Sequence, residues 1–433
     1  MPRIRRYHPS GVLIETLGTM QLDWQERINM PRMRVERREK VREQLRNYNL
    51  GAILLNRDYH IKYTCSAPRF EYLSETNCYG PTMIGMRYAM LFEPVEKATL
   101  YEHGGIASQI ERHAPWLNVK YAHAGLIDTE AGKAAAEMIT KRMVNQIKED
   151  MKAAGVAGER LGFDFYHPRL EQALKDAGIK VDTQAGIDAM ADAMACKTSD
   201  EVECTRIACT IGEACHAAVK KAIMPGLRES DIVRIMNDTA MKLGGNTHGD
   251  AWCVCSGPDS WPNQRTWTDR ILRPGEVVFV DVFGCRWNEY HTCQYLTYVC
   301  GKAWPEIREA FKKVATWQRE PLEKGCKAGN TTADIAKWFP SAKEWGAEEE
   351  AAVSGNAICH GIGLHHFERP LINREWSLDH PIELKEGMVF AIESQCGDGL
   401  GQGVRLEDIV HVLKDGYELL TVWPIDDIIE CPY

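Results

Sequence analysis

The sequence predicts an α+β protein: a C-terminal half built from blocks of strands and helices, behind a smaller N-terminal α/β domain. Three observations predict this. A chain of 433 residues is long for one core, so two domains are expected. Up to about residue 180, short apolar runs alternate with helical periodicity, the pattern of an α/β unit with a mixed or parallel sheet. Beyond residue 245, strand-like and helix-like segments come in blocks instead. The expected division is an arm over residues 1–30, an α/β domain over 31–192 and the C-terminal domain over 193–433.

The elements are justified in chain order. Residues 1–30 lack periodicity and read as an arm that lies on another surface. Met33 to Asn49 reads as a helix with Val35, Val41 and Leu45 on one side. Ala52 to Leu55 is a short buried strand, and a helix starts over Tyr59 to Tyr63. Tyr88 to Phe92 and Ala98 to Tyr101 form a strand pair around a turn near Pro94. Thr129 to Ala154 is a long helix stopped by Gly155, followed by a strand over Arg160 to Asp164 and a helix over His167 to Ala177. Thr198 and Glu201 form a capping box that opens a helix running to about Ile223. Pro225-Gly226 breaks it, Ser230 caps the next helix, and Gly244-Gly245 ends that one. Strands are then expected over Trp252 to Val254, Val277 to Phe283, Tyr295 to Cys300, Met388 to Glu393, Val404 to Leu413 and Glu418 to Val422. Helices fit at Pro305 to Lys324 and Thr332 to Phe339.

Bulk properties exclude several classes. A net charge of −9 argues against general binding of nucleic acid or anionic membrane. No apolar run reaches the length of a membrane span. The basic start, Met1-Pro2-Arg3-Ile4-Arg5-Arg6, is not followed by an apolar stretch, so no signal peptide is expected. The fifteen cysteines show no regular spacing, and Cys253 and Cys255 are too close for a zinc knuckle. Reduced thiols in a cytoplasmic protein are the expectation.

Candidate chemistry concentrates in the last third. Asp281 closes the apolar run Val277-Val278-Phe279-Val280, and a lone buried carboxylate is costly unless paired or metal-bound. It reads as a ligand or as a cap on the following turn. His291 lies ten residues on, as a ligand or a core histidine. His360 precedes Gly361-Ile362-Gly363, small residues that let other backbone approach. Glu393 and Glu407 each end an apolar, β-like run, where a rigid strand end would present them. Only one of Glu407 and Asp408 can face inward, because side chains alternate along a strand. Imidazole and carboxylate together suit a divalent cation of borderline hardness. The expected metal set is therefore Asp281, His291, His360, Glu393 and Glu407.

His366, and after it His365, are candidates for proton transfer, because imidazole titrates near neutral pH. Trp252, Trp261, Trp267 and Trp287 read as core packing or as an aromatic pocket for a flat or cationic molecule. Arg405, Arg369 and Arg265 are candidates to grip a carboxylate, with Trp261 and His248 alongside them.

His360-Gly361-Ile362-Gly363, Gly387 to Glu393 and Gly403-Val404-Arg405-Leu406-Glu407-Asp408 together resemble the signature segments of the pita-bread metallopeptidases. That family includes methionine aminopeptidase, prolidase and aminopeptidase P. It also holds the non-peptidases creatinase, ectoine hydrolase, nitroanthranilate aminohydrolase and dimethylsulfoniopropionate lyase. The resemblance implies a C-terminal pita-bread catalytic domain, a creatinase-like N-terminal domain, and a homodimer or larger homo-oligomer. Ser256-Gly257-Pro258 and Leu420-Thr421 are most similar to the lyase.

The departures from the family pattern shape the functional expectation. His291 matches the second metal-binding Asp of the peptidases, and imidazole, with one free lone pair, cannot bridge two ions. One divalent ion per chain (Mn, Fe, Co or Zn) is expected. Pro262-Asn263 and Phe367 stand where the peptidases carry histidines. His366 stands where the lyase has its Asp base, and Phe279 where the lyase has a further acid. The expected activity is hydrolysis of a C–N bond in a small carboxylated nitrogen compound, with metal-bound water attacking and a histidine moving the proton. A dimethylsulfoniopropionate-lyase-like C–S cleavage and an Xaa-Pro aminopeptidase or dipeptidase are the alternatives.

Overall fold

The computed structural model describes residues 23–67, 87–102, 104–122, 132–247, 252–262 and 264–433. Most of the expected N-terminal arm, and His248, fall outside these residues. The chain forms two compact units: Met30–Met194, and Ala195–Tyr433 with the segment that ends at Asn29.

The smaller unit is a mixed sheet with helices. Its strands are β1 (Ala52–Leu55), β2 (Tyr88–Phe92), β3 (Thr99–Glu102), β4 (Asn118–Tyr121), β5 (Arg160–Phe163) and β6 (Lys180–Asp182). They lie in the order β4-β3-β2-β1-β5-β6. β1 runs antiparallel to β2 and parallel to β5. Leu54, Met90 and Phe163 pack with Met143, Ile147 and Leu174 from the helices Lys133–Ala153 and Pro168–Asp176. The first helix, Met30–Asn47, buries a row spaced by four: Met33, Arg37, Val41 and Leu45. Val35 was expected in that row, but it is 51% exposed. Two residues out of step with a four-residue row puts it on the opposite side of the helix.

In the larger unit, the helix Ser199–Ala222 opens on the expected capping box. The Thr198 amide donates to the Glu201 carboxylate at 2.9 Å, and the Glu201 amide to the Thr198 hydroxyl at 3.3 Å. The next helix, Glu229–Lys242, begins one residue ahead of the expected Ser230 cap, and Asp231 closes it by accepting from the Arg228 amide.

Two sheets follow. The first has the order β18-β12-β9-β8, from β8 (Cys253–Ser256), β9 (Val277–Asp281), β12 (Tyr295–Cys300) and β18 (Ile429–Cys431). The second has the order β14-β13-β15-β16-β17, from β13 (Ala357–Gly361), β14 (Glu368–Ile372), β15 (Val389–Gly397), β16 (Gly403–Leu413) and β17 (Gly416–Leu419). A small sheet joins β7 (Asn246–Thr247), β10 (Cys285–Trp287) and β11 (Tyr290–His291).

Alternation along β15 and β16 sorts side chains between two cores. Val389, Ala391 and Ile409 pack with Cys253, Phe279 and Tyr295 of the first sheet. Phe390, Ile392, Val410 and Val412 pack with Leu322 of the helix Pro305–Gly325 on the other face. Both faces are covered, so β15 reads as a continuous apolar run rather than an alternating one. Glu393 and Glu407 take the parity of Ala391 and Ile409 and face the first sheet. They were expected at strand ends, but both lie inside their strands, because pairing continues to Gly397↔Gly403.

Candidate metal centre

The register of the second sheet dictates which groups meet. Glu393 and Glu407 are direct cross-strand partners on β15 and β16. His360 on β13 pairs with Ala391, two residues before Glu393, and so shares its face. From the facing sheet, Asp281 ends β9 opposite both Cys253 on β8 and Tyr295 on β12. Four residues far apart in sequence thus meet between two sheets.

The resulting donor set is buried and dense. Ligand atoms lie within 4.8 Å of one another in three overlapping groups: Asp281, Cys293 and Glu407; His360, Glu393 and Glu407; Cys293, His360 and His366. Asp281 and Glu407 are 2% and 1% exposed, and His360 is 1% exposed. Burial pushes all three carboxyls above their usual range, and their mutual repulsion pushes Asp281 and Glu407 further. Glu407 Oε1 accepts no hydrogen bond, with His360 Nε2 3.4 Å away. Two buried carboxylates and the half-buried Glu393 beside one imidazole are poorly compensated by the protein alone. A divalent cation is the partner that such oxygen and nitrogen donors fit. Asp281 also serves the turn reading, since its Oδ1 accepts from the Phe283 amide at 2.9 Å.

His291 falls outside the three groups. Its amide donates to the Gly363 carbonyl at 2.9 Å, and its ring centroid lies 5.9 Å from that of His366. The chain changes sheets between β11 and β12, so alternation does not carry His291 onto the face that bears Tyr295. The group that reaches the centre from this stretch is Cys293, which is fully buried. The sequence did hold a signal for it, a thiol two residues before Tyr295 on the site face of β12.

His366 sits at the edge of the centre, its ring 5.0 Å from His360 and 5.3 Å from Phe283. Burial, followed by repulsion from His360 and His365, lowers its pKa to about 3, so it is neutral near pH 7. Its Nδ1 is buried without a hydrogen-bond partner. His365 is held differently: its Nδ1 lies 2.6 Å from the Phe367 carbonyl, and its amide donates to Glu368.

Arg405 shares the face of Glu407 and is 6% exposed. One Nη donates to the Pro262 carbonyl at 2.7 Å, and its Nε is buried without a partner. Arg265 is already engaged, paired with Glu229 at 2.8 Å and with Asp259 at 2.7 Å. Arg369 is half-buried at the start of β14. Of the tryptophans, Trp252 and Trp287 are core residues, and Trp267 is half-buried. Trp261 lies over the end of the β15–β16 pair, where a methyl on Gly397 or Gly403 would come within 2.7 Å of its ring.

The paired sheets with a buried carboxylate–imidazole centre define a pita-bread protein. The model of metallopeptidase family M24 matches residues 203–414 of the chain. A probable dipeptidase PepE of Mycobacterium tuberculosis H37Rv is 29% identical over 228 residues, 51% of this chain and 56% of that protein. An Xaa-Pro dipeptidase of Pyrococcus furiosus is 27% identical over 235 residues, 54% of this chain and 65% of that one. The chain therefore spans less than two thirds of these curated relatives. Among solved structures, an Xaa-Pro dipeptidase from Bacillus anthracis superposes with a TM-score of 0.70 at 20% identity, covering 91% of this chain and 99% of that one. The prolidase of Pyrococcus horikoshii OT3 superposes with a TM-score of 0.67 at 21% identity, covering 91% and 100%. At these identities the likeness is one of fold. Among the described residues, no helix is long and apolar enough to cross a membrane.

Proposed function

We propose that the chain is a metal-dependent hydrolase that breaks a C–N bond in a small carboxylated, nitrogen-containing compound. The observation that carries this reading is the convergence of Asp281, His360, Glu393 and Glu407 in one buried cluster beside a neutral His366. Those four residues would hold one divalent ion of the Mn, Fe, Co or Zn group. Such an ion, when bound, lowers the pKa of water and polarises the bond to be cleaved.

The chain's own groups supply the rest. His366, whose Nε2 lies 3.9 Å from Cys293 Sγ at the edge of the centre, takes a proton and returns it to the departing amine. Arg405, with a free Nε on the face of Glu407, anchors the substrate carboxylate. Phe367, 55% exposed and 4.5 Å from the His360 ring, offers an apolar wall. It also occupies a position where the family's peptidases carry a histidine, which favours a non-peptide substrate. The buried free thiols suit a reducing cytoplasm, and a homodimer or larger oligomer follows from the family resemblance.

A second reading, an Xaa-Pro dipeptidase, is favoured by the names of the relatives. One panel separates the readings: metal-loaded protein is offered creatine, ectoine, aminobenzoates, dimethylsulfoniopropionate and Xaa-Pro dipeptides. Ammonia or a ring-opened amine supports the leading reading, free proline the second, and dimethyl sulfide a lyase. Silence across the panel from protein that binds no metal overturns the enzymatic proposal.

A further inference from the structure

We infer that Cys293 is a metal ligand of this centre, so that the chain holds its ion through sulfur as well as oxygen and nitrogen. This rests on the metal-centre reading above. Cys293 belongs to two of the three groups of converging ligand atoms. Its Sγ lies 3.0 Å from Glu407 Oε2, 3.8 Å from Asp281 Oδ1 and 3.9 Å from His366 Nε2. It is fully buried and forms no disulfide. A second observation points to a ligand at the same spot: Glu407, the carboxylate that receives the thiol, has its other oxygen buried without a donor.

The chain path explains why a sulfur arrives there. Cys293 lies in the short connection between β11 and β12, two residues before Tyr295, which faces Asp281 across the β9–β12 pair. The loop therefore points the thiol at the gap between the sheets, while His291 stays beside the His366 ring. Binding replaces the S–H bond by an S–metal bond, and the proton leaves to solvent. No change of oxidation state is involved. A thiolate donor shifts the preference of the site toward zinc, cobalt or ferrous iron and away from manganese and magnesium, which prefer all-oxygen sets.

Cobalt(II) titration of the full chain tests this, because a cobalt–thiolate bond gives an intense near-ultraviolet charge-transfer band that oxygen and nitrogen ligands do not. Wild type and Cys253→Ser should both show the band, since Cys253 faces Asp281 but lies outside the ligand groups. Cys293→Ser should bind cobalt at least tenfold more weakly and lack the band. If Cys293→Ser does not fold, X-ray absorption on the zinc-loaded wild type answers instead. A sulfur scatterer at about 2.3 Å is expected there. Cobalt bound with no charge-transfer band and no sulfur scatterer overturns the inference and leaves the metal-centre reading standing. Failure of the wild type to bind cobalt or zinc overturns both.

Discussion

At the scale of single residues, Glu407 carries the strongest consequence. It is buried, faces Glu393 across the sheet, and has one oxygen without a donor. Its carboxyl is held above the usual range, first by burial and then by Glu393. Without metal, an ionised Glu407 therefore works against folding. Glu407→Gln should raise the melting temperature of metal-free protein at pH 7 by about 1–2 °C, equivalent to about 1 kcal/mol. The same change should remove the extra stability that saturating metal gives the wild type, which is about 2.7 kcal/mol at a hundredfold excess over Kd. Thermal melts of both proteins with and without metal check this, and a glutamine variant that melts lower without metal would count against the electrostatic account. His366→Ala separates holding from turnover. His366 shares no ligand group with Asp281, Glu393 or Glu407, so metal affinity should stay within a few-fold of wild type while kcat falls by about 10² to 10⁴. Full activity in that variant would place the base elsewhere.

At the scale of elements, the β15–β16 pair is the frame of the centre, and Trp261 closes its end. A methyl on Gly397 would meet Trp261 Cε2 at 2.7 Å. Gly397→Ala must therefore push the indole aside, at about 1–3 kcal/mol in stability, with KM rising more than kcat falls if the ring borders the substrate. A crystal structure of the variant with Trp261 unmoved would refute this. The same strands show what was legible in the sequence and what was not. The capping box at Thr198 and the runs Val277 to Asp281, Tyr295 to Cys300 and Val404 to Leu413 carry local signals strong enough to place their elements. β13 and β14 were not read as strands, because Gly361 and Pro370 interrupt their patterns and their pairing partners lie far along the chain. β10 and β11 were missed for their brevity. The candidate ligands in long apolar runs, Asp281, Glu393 and Glu407, stood out because acid is costly there. Cys293 did not, because a thiol among apolar residues looks like ordinary core.

At the scale of the whole molecule, resistance to acid depends on a buried histidine outside the ligand set. His216, on the helix Ser199–Ala222, is fully buried against β12. Its Nδ1 lies 2.9 Å from the Tyr298 hydroxyl and its Nε2 3.2 Å from the Gln294 carbonyl. A carbonyl can only accept, so the proton belongs on Nε2 and the Tyr298 hydroxyl donates to Nδ1, which satisfies the neutral ring completely. Burial lowers its pKa to about 3, against an ordinary value of 6.5. Between those values the unfolded chain takes up a proton that the folded chain refuses. The stability that neutral His216 allows is therefore fully present above about pH 6.5 and is lost as pH falls toward 3. His216→Gln keeps polar contacts to the same partners and removes the titration. The variant should be less stable than wild type at pH 8 and should close the gap by about 1.4 kcal/mol for each unit of pH below 6. Urea unfolding of metal-free protein between pH 8 and pH 4.5 measures both curves, with all other titrating groups common to the two. If the curves run parallel through that range, His216 is either already charged in the folded protein or reached by water, and the seam between this helix and β12 is wetter than its packing implies.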